Sequence, residues 1–395
     1  MSLYLQKPFP NTCAEFFAGI GLMRLGLEQA GWEITYANDI DPIKDKIYQN
    51  HFQDPQNHFQ LGDIHQLDVK EIPYVTLATA SFPCTDLSLA GRREGLVGKN
   101  SSAYWGFIKV LKEMGNRRPR LILLENVEGF LTSNKGEDFK EALLALNSLG
   151  YSVDAFVIDA AKFVPQSRVR LFVVGKLTPV THNLVKSPQL SFYQSELRTH
   201  RLADFILNHP EINWDIRQLR NLPKRKFNLA DIVDPTPDNS AEWWNEERVM
   251  YLLNQTFDRH RVIIDLATKR DEYSYFTAFR RVRDGRSMAE IRSDGIAGCL
   301  RTPKGGSARQ ILLKVGKGQV RVRLISPREC AKLMGADDYK ISSTLNEALF
   351  GFGDAVCVPV VKWIAENYLN PLLNELNNNN SHDSHYSSHE YSTLH

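Results

Sequence analysis

Cysteine is scarce in this 395-residue chain: five residues, at positions 13, 84, 299, 330 and 357, odd in number and never in CxxC spacing. That excludes a disulfide framework and a zinc site built on paired thiols, and it points to a reducing cytoplasm. Long hydrophobic runs are missing too. None approaches the roughly 20 apolar residues of a spanning helix, and the opening MSLYLQKPFPNTCAEFF has no basic segment followed by an apolar stretch. Neither a membrane partner nor a secretory signal is therefore expected. Net charge is only +2, with 43% hydrophobic and 24% charged residues, the balance of a globular protein long enough for two domains. The most local absence is of acid. Residues 301–328 hold eight lysines and arginines and no aspartate or glutamate. A solvated basic hairpin and a phosphate-binding edge both fit such a stretch.

What is present begins as alternating strands and helices. TCAEFFAG reads as a first strand entering a turn, MRLGLEQAG as a helix ended by Gly31, and EITYANDID and HFQLGDI as second and third strands. YVTLATASFP and PRLILLENV follow as a fourth and a fifth, and YSVDAFVIDA and RVRLFVVGK as two more. This is the pattern of a doubly wound α/β domain, whose ligands gather at the carboxyl ends of the strands. From about Val180 to Gly298 the pattern degrades into Pro, Asn and Trp with basic clusters, the mark of a second, irregular domain. RLISPRECAKLMG then has a serine-proline helix start. Residues 377–395, NNNNSHDSHYSSHEYSTLH, cannot build a core and are expected to be a disordered tail.

Five strand ends carry chemistry. Gly19 and Gly21 sit in the first strand-to-helix turn, where backbone must approach a ligand closely. Asp39, about 20 residues on, can accept bonds from ribose hydroxyls, and Asp63 ends the third strand where an adenine amine can meet it. Arg24 stands where the third glycine of GxGxxG would fall, which favours a smaller adenosyl ligand over a dinucleotide. Cys84 follows Pro83 at the end of the fourth strand, where a partly exposed thiol can act as a nucleophile or serve only structure. Glu125 ends the fifth strand as an N-cap or a proton donor. In PQSRVR, Gln166, Arg168 and Arg170 are spaced by two, so in an extended segment both arginines face one side.

Taken together, FAGIG, FPC with its downstream SLAG, ENV, QSRVR, RLISPRECAKLMG and GDAVCVPVV stand in one order. In that order they resemble the conserved blocks of the DNA (cytosine-5)-methyltransferases, prokaryotic in type, over about residues 12–176 and 320–370. The resemblance implies a doubly wound, class I methyltransferase sheet that depends on S-adenosylmethionine, with S-adenosylhomocysteine as product. It places a catalytic and cofactor-binding domain at 1–178, a smaller irregular target recognition domain at 179–320, and a segment returning to the catalytic domain at 321–376. By position, Cys84 would attack C6 of a flipped cytosine and Glu125 would bind and protonate N3. Arg168 would contact the base oxygen and Arg170 would fix the catalytic loop. Phe17, Ala18, Gly19, Gly21, Asp39, Ile40, Asp63, Ile64, Pro83, Asp354 and Ala355 would frame the cofactor, and no metal is implied.

Gln166, Arg301, Lys304 and Arg309 are the expected DNA contacts. Double-stranded DNA is the expected partner, a cognate restriction endonuclease a further candidate, and the chain is expected to act as a cytoplasmic, nucleoid-associated monomer. Departures from the pattern are Glu15 for an aspartate, Leu22 for a frequent glycine, Ser81, Thr85 and Leu87 in the catalytic loop, Ile40 for an aromatic, and Asp354 for an asparagine. Methylation of RNA fits the same blocks, but a long recognition region argues against it. A silent regulator is disfavoured by an intact Cys84, Glu125 and Arg168.

Overall fold

The chain builds its first sheet from strands that are apolar on both faces, as strands covered by helices on either side must be. The computed structural model describes residues 8–54, 58–83, 103–178, 193–283, 285–302 and 309–386. Strands β1 (Thr12–Phe16), β2 (Glu33–Asp39), β3 (Phe59–Leu61), β4 (Leu77–Ala80) and β5 (Leu121–Val127) run parallel. Strands β6 (Tyr151–Asp159) and β7 (Val169–Leu177) complete a seven-stranded sheet in the order β3-β2-β1-β4-β5-β7-β6. β7 is antiparallel to both its neighbours. That reversal brings the amino end of β7 to the edge where β1 to β5 have their carboxyl ends, so that Arg170 lies opposite Val127. The order in which strands are added reverses between β1 and β4, and such a switch point is where open α/β sheets bind ligands.

Helices α1 (Leu22–Glu28), α2 (Pro42–Phe52), α3 (Ala103–Met114) and α4 (Glu137–Ser148) cover the sheet. Gly26 of α1 lies so close to Val361 that a Cβ would stand 2.5 Å from the valine side chain, which docks the C-terminal helices on the glycine-loop helix. The expected serine-proline start is a capping box: Ser326 accepts from Glu329 N, and Glu329 accepts from Ser326 N at 2.8 Å. Its carboxylate also forms a buried pair with Arg323.

The second sheet is antiparallel, in the order β11-β10-β8-β9, from β8 (Ser274–Arg283), β9 (Arg286–Arg292), β10 (Ile311–Gly316) and β11 (Gln319–Leu324). Its last strand runs to Leu324, beyond the expected boundary at 320. Helix His200–Asn208 buries Leu202, Phe205 and Ile206 in the core of the first sheet, and Trp214 bridges to Val153 of β6, so residues 193–217 pack with the catalytic domain. Tail and membrane expectations also meet structure. Helix Asn370–Tyr386 continues ten residues into the segment expected to be disordered, anchored by buried Leu372 and Leu373 and by Asn377, whose Oδ1 accepts from Phe9 N at 2.7 Å. The stretch Leu345–Asn379 has the length and hydropathy of a membrane span, but 67% of its most apolar window is buried inside the protein.

Candidate active site

The glycine turn is shaped by local backbone. Phe17, Gly19 and Gly21 all have positive φ, at 58°, 58° and 79°. Such angles favour glycine and are strained at Phe17. Space around Gly19 is open where a Cβ would stand, whereas at Gly21 a Cβ would lie 2.4 Å from the Phe52 ring. Ala18 is buried and donates its N–H to Asn38 O. Asp39 closes the turn: its Oδ2 accepts from Gly19 N at 2.8 Å and its Oδ1 from Asp41 N at 2.9 Å. Each carboxylate oxygen keeps a lone pair for a further donor. Ile40 beside it is 66% exposed, an apolar side chain turned to solvent at the mouth of the turn.

Neighbouring strand ends extend this edge. Asn38 Nδ2 donates to Gln60 O and Gly62 O, holding β3 so that Asp63 caps the short helix begun by buried Ile64. Arg24, in the place of a third glycine, is a hub. It pairs with Glu28 at 2.6 Å and with both oxygens of Asp54, and it lies 3.7 Å over the Phe52 ring. Buried Glu15 beneath has one carboxylate oxygen without a partner. Burial pushes its carboxyl up to about 8, against the pull of Arg24.

Two strands away, Glu125 is buried at the end of β5 and its Oε1 lies 2.9 Å from Arg170 Nε. Asn126, which sequence reasoning passed over, donates to Phe82 O at 3.1 Å and so pins the stem that leads through exposed Pro83 to the catalytic loop. Cys84 itself, with Thr85 and Leu87, lies outside the described residues, as does Lys304.

The two arginines do not share one setting. Arg168 precedes β7 and turns to the C-terminal segment, where Nη1 donates to Leu300 O and Nη2 to Gly353 O and Ala355 O. It is wholly buried, and desolvation lowers its pKa, with Arg170 adding to the effect. Both of its Nη atoms are engaged with backbone while its Nε has no partner, and it is Arg170 whose Nε lies on the Glu125 carboxylate. Cys299, counted in the sequence but given no role there, has its thiol 3.4 Å from Arg168 Nη1. Burial opposes its ionisation, but Arg168 and Arg170 hold the thiol below its ordinary pKa.

Gln166, expected among the DNA contacts, is fully buried. Its Nε2 donates to Leu333 O and its Oε1 accepts from Leu300 N, so it ties three segments of the fold together and offers nothing to solvent. Arg301 is exposed, and Arg309 donates to Asn346 Oδ1 at 2.6 Å while its Nε has no partner. Asp354 pairs with Lys44, Nζ to Oδ2 at 3.0 Å. Among the described residues no cluster of His, Cys, Asp or Glu could hold a metal ion.

A glycine turn at the switch point, strand-end acids beside it and a buried carboxylate–guanidinium pair two strands on give the layout of an α/β enzyme whose ligands meet at the carboxyl edge. The chain belongs to the C-5 cytosine-specific DNA methylase family, whose model matches residues 11–370. It is a DNA cytosine-5 methyltransferase. Among similar proteins, Type II methyltransferase M.HhaI of Haemophilus parahaemolyticus is 26% identical over 89% of this chain and 92% of its own length. Type II methyltransferase M.SsoII of Shigella sonnei is 27% identical over 92% of this chain and 83% of its own length. The crystal structure of the S. pombe Dnmt2 methyltransferase shares the fold, with a TM-score of 0.58 at 19% identity over 91% of this chain and 99% of that one.

Proposed function

We propose that this chain is a sequence-specific DNA methyltransferase of the restriction–modification kind, in which Cys84 adds to C6 of a cytosine flipped out of the duplex. The observation that carries this reading is the Glu125–Arg170 pair, which stands beside β4 with its stem held by Asn126. A base inside the helix cannot be attacked, so flipping comes first, at a cost of a few kcal/mol. The carboxyl of Glu125 donates a proton to N3 and makes C6 electrophilic, while Arg170 holds the carboxyl in place and reaches the base oxygen. That gives Arg170 the role that the sequence pattern assigned to Arg168, whose task becomes fixing the strap 353–355. The Cys84 thiolate forms the bond to C6, which leaves electron density on C5 for the incoming methyl group; loss of the C5 proton to solvent then restores the C5–C6 double bond and expels the thiolate.

The residues fit an adenosyl cofactor. Gly19 leaves open space, Asp39 keeps acceptor capacity for ribose hydroxyls, Asp63 stands for the adenine amine, and exposed Ile40 offers an apolar face to the base. S-adenosylmethionine, when bound, supplies the methyl group for C5. Phe17, Ala18, Ile64, Pro83 and Ala355 line the same edge. Arg301, Lys304 and Arg309 are the cations that would meet phosphate. Duplex DNA is the partner in this reading, a cognate endonuclease a further one, and the enzyme works as a monomer in the cytoplasm. The test is transfer of labelled methyl from S-adenosylmethionine into DNA and into RNA. Incorporation is expected in DNA and is expected to vanish in Cys84→Ser; equal incorporation by that variant refutes the assignment.

A further inference from the structure

Asp354 is a carboxylate where the family pattern has a carboxamide, and its partner is found on the other side of the cofactor edge. Lys44, in the first turn of α2, brings Nζ to 3.0 Å from Asp354 Oδ2, with its side chain only 21% exposed. Despite burial, Asp39, Asp354 and Asp41 together hold the ammonium above its ordinary pKa, so Lys44 is charged. Asp39 is the acid that also binds Gly19 N. Lys44 thus stands between the acid of the glycine turn and the end of helix Leu345–Asp354.

The residues on either side of Asp354 are fixed from the opposite direction. Gly353 O and Ala355 O both accept from Arg168. Gly353 also packs so tightly that a Cβ would lie 2.6 Å from the backbone of Arg301 and Thr302. The backbone on either side of Asp354 is therefore fixed, and its half-exposed carboxylate is held against Lys44, which in turn faces Asp39 of the glycine turn.

We propose that Lys44 and Asp354 form a charge-balancing pair at the cofactor edge that sets how strongly the enzyme distinguishes S-adenosylmethionine from S-adenosylhomocysteine. The inference rests on the cofactor reading above. Donor and product share the adenosine and the amino-acid group, and they differ by the methyl group and the unit positive charge on sulfur. A local excess of negative charge favours the donor, and an excess of positive charge favours the product. Paired, Lys44 and Asp354 nearly cancel; each alone tilts the balance its own way. Both are positioning residues, since neither needs to touch the transferred methyl group.

Calorimetric titration of the full-length chain with each ligand, without DNA, tests this. Lys44→Met is expected to raise the ratio of product Kd to donor Kd by about three- to ten-fold, the scale of one unit charge acting through partly screened protein. Asp354→Asn is expected to lower the ratio by a similar factor, and the double variant to return it to near the wild-type value. The effects shrink in about 0.5 M salt, where the screening length falls to a few ångströms. If each variant changes both Kd values by one common factor, or changes neither, the pair only supports the strap and the proposal is overturned. If the wild-type chain binds neither ligand, the cofactor reading itself fails and takes the proposal with it.

Discussion

Glu15 offers the sharpest test of the electrostatics beneath the cofactor turn. It sits near the end of β1, paired in register with Ala37 and Thr79, buried, and with one oxygen lacking any partner. Burial is the largest cause that moves its carboxyl from 4.5 to about 8; Arg24 pulls the other way, and Glu28 and Asp39 add to the rise. The folded chain therefore holds a proton that the unfolded chain has already lost between these two values. Its contribution to stability is full below about 4.5 and is lost as pH rises to about 8. At roughly 1.4 kcal/mol per pH unit, the loss reaches at most ~3 kcal/mol at pH 7 and ~5 kcal/mol above pH 8. Glu15→Gln keeps the shape and removes the ionisation. The variant should match the parent near pH 5 and become more stable than it by a few kcal/mol at pH 8.5. Urea unfolding at half-unit steps of pH measures this as a widening gap between midpoints. Two curves that stay parallel from pH 5 to pH 8.5, or a gap of opposite sign, would refute the reasoning.

Three further outcomes follow from the site. Glu125→Gln should lower single-turnover methyl transfer by about 10²- to 10⁴-fold, the scale of general acid–base catalysis, with calorimetric cofactor binding unchanged; a loss in cofactor affinity instead would move Glu125 out of the base site. Gly21→Ala meets both a positive φ and a Cβ 2.4 Å from Phe52, so a fall in melting temperature together with weaker cofactor binding is expected. Arg309→Ala should weaken DNA binding at every sequence and reduce the salt slope by about one, read from a titration series over salt concentration; unchanged affinity and slope would leave Arg309 as a tether for Asn346 alone.

The carboxyl-edge residues were legible because parallel strands announce themselves. LILLEN is a buried run that stops at a carboxylate, and a parallel strand has nowhere else to put one. Asp39 ends a buried run in the same way; Asp63 follows an edge strand whose last two residues are exposed, and its position came from the turn after that strand. The division of labour in QSRVR was not. Spacing by two puts Arg168 and Arg170 on one face only while the backbone is a strand, and β7 begins at Val169, one residue after Arg168. Which of them meets Glu125 depends on the antiparallel register of β7 on β5, and which is absorbed depends on carbonyls at 300, 353 and 355. Contacts across more than 100 residues leave no periodic trace. Gln166 was misjudged the same way: its partners, Leu300 and Leu333, lie far along the chain. Composition also hides that the helix runs on as far as Tyr386, because a helix already anchored at Leu372 and Leu373 propagates at little cost per added residue.

Arg24 shows where an argument from absence runs short. A glycine missing from GxGxxG was read as the sign of a smaller ligand, as if only the ligand could decide that position. The arginine there has its own purpose: its guanidinium lies on Phe52 and grips Asp54, the residues at and just beyond the end of α2, while Glu28 holds it from α1. Phe52 is also the ring that forbids a side chain at Gly21. The shape of the glycine turn is thus enforced from outside by α2, through an arginine that a glycine could not replace. A preference for an adenosyl ligand then has to rest on Asp39 and Asp63, which face the edge, and the missing glycine ceases to be evidence about the ligand. Removing the Arg24 side chain should loosen Phe52 and with it the turn, so Arg24→Ala is expected to lower the melting temperature as Gly21→Ala does, through packing that the glycine motif does not contain.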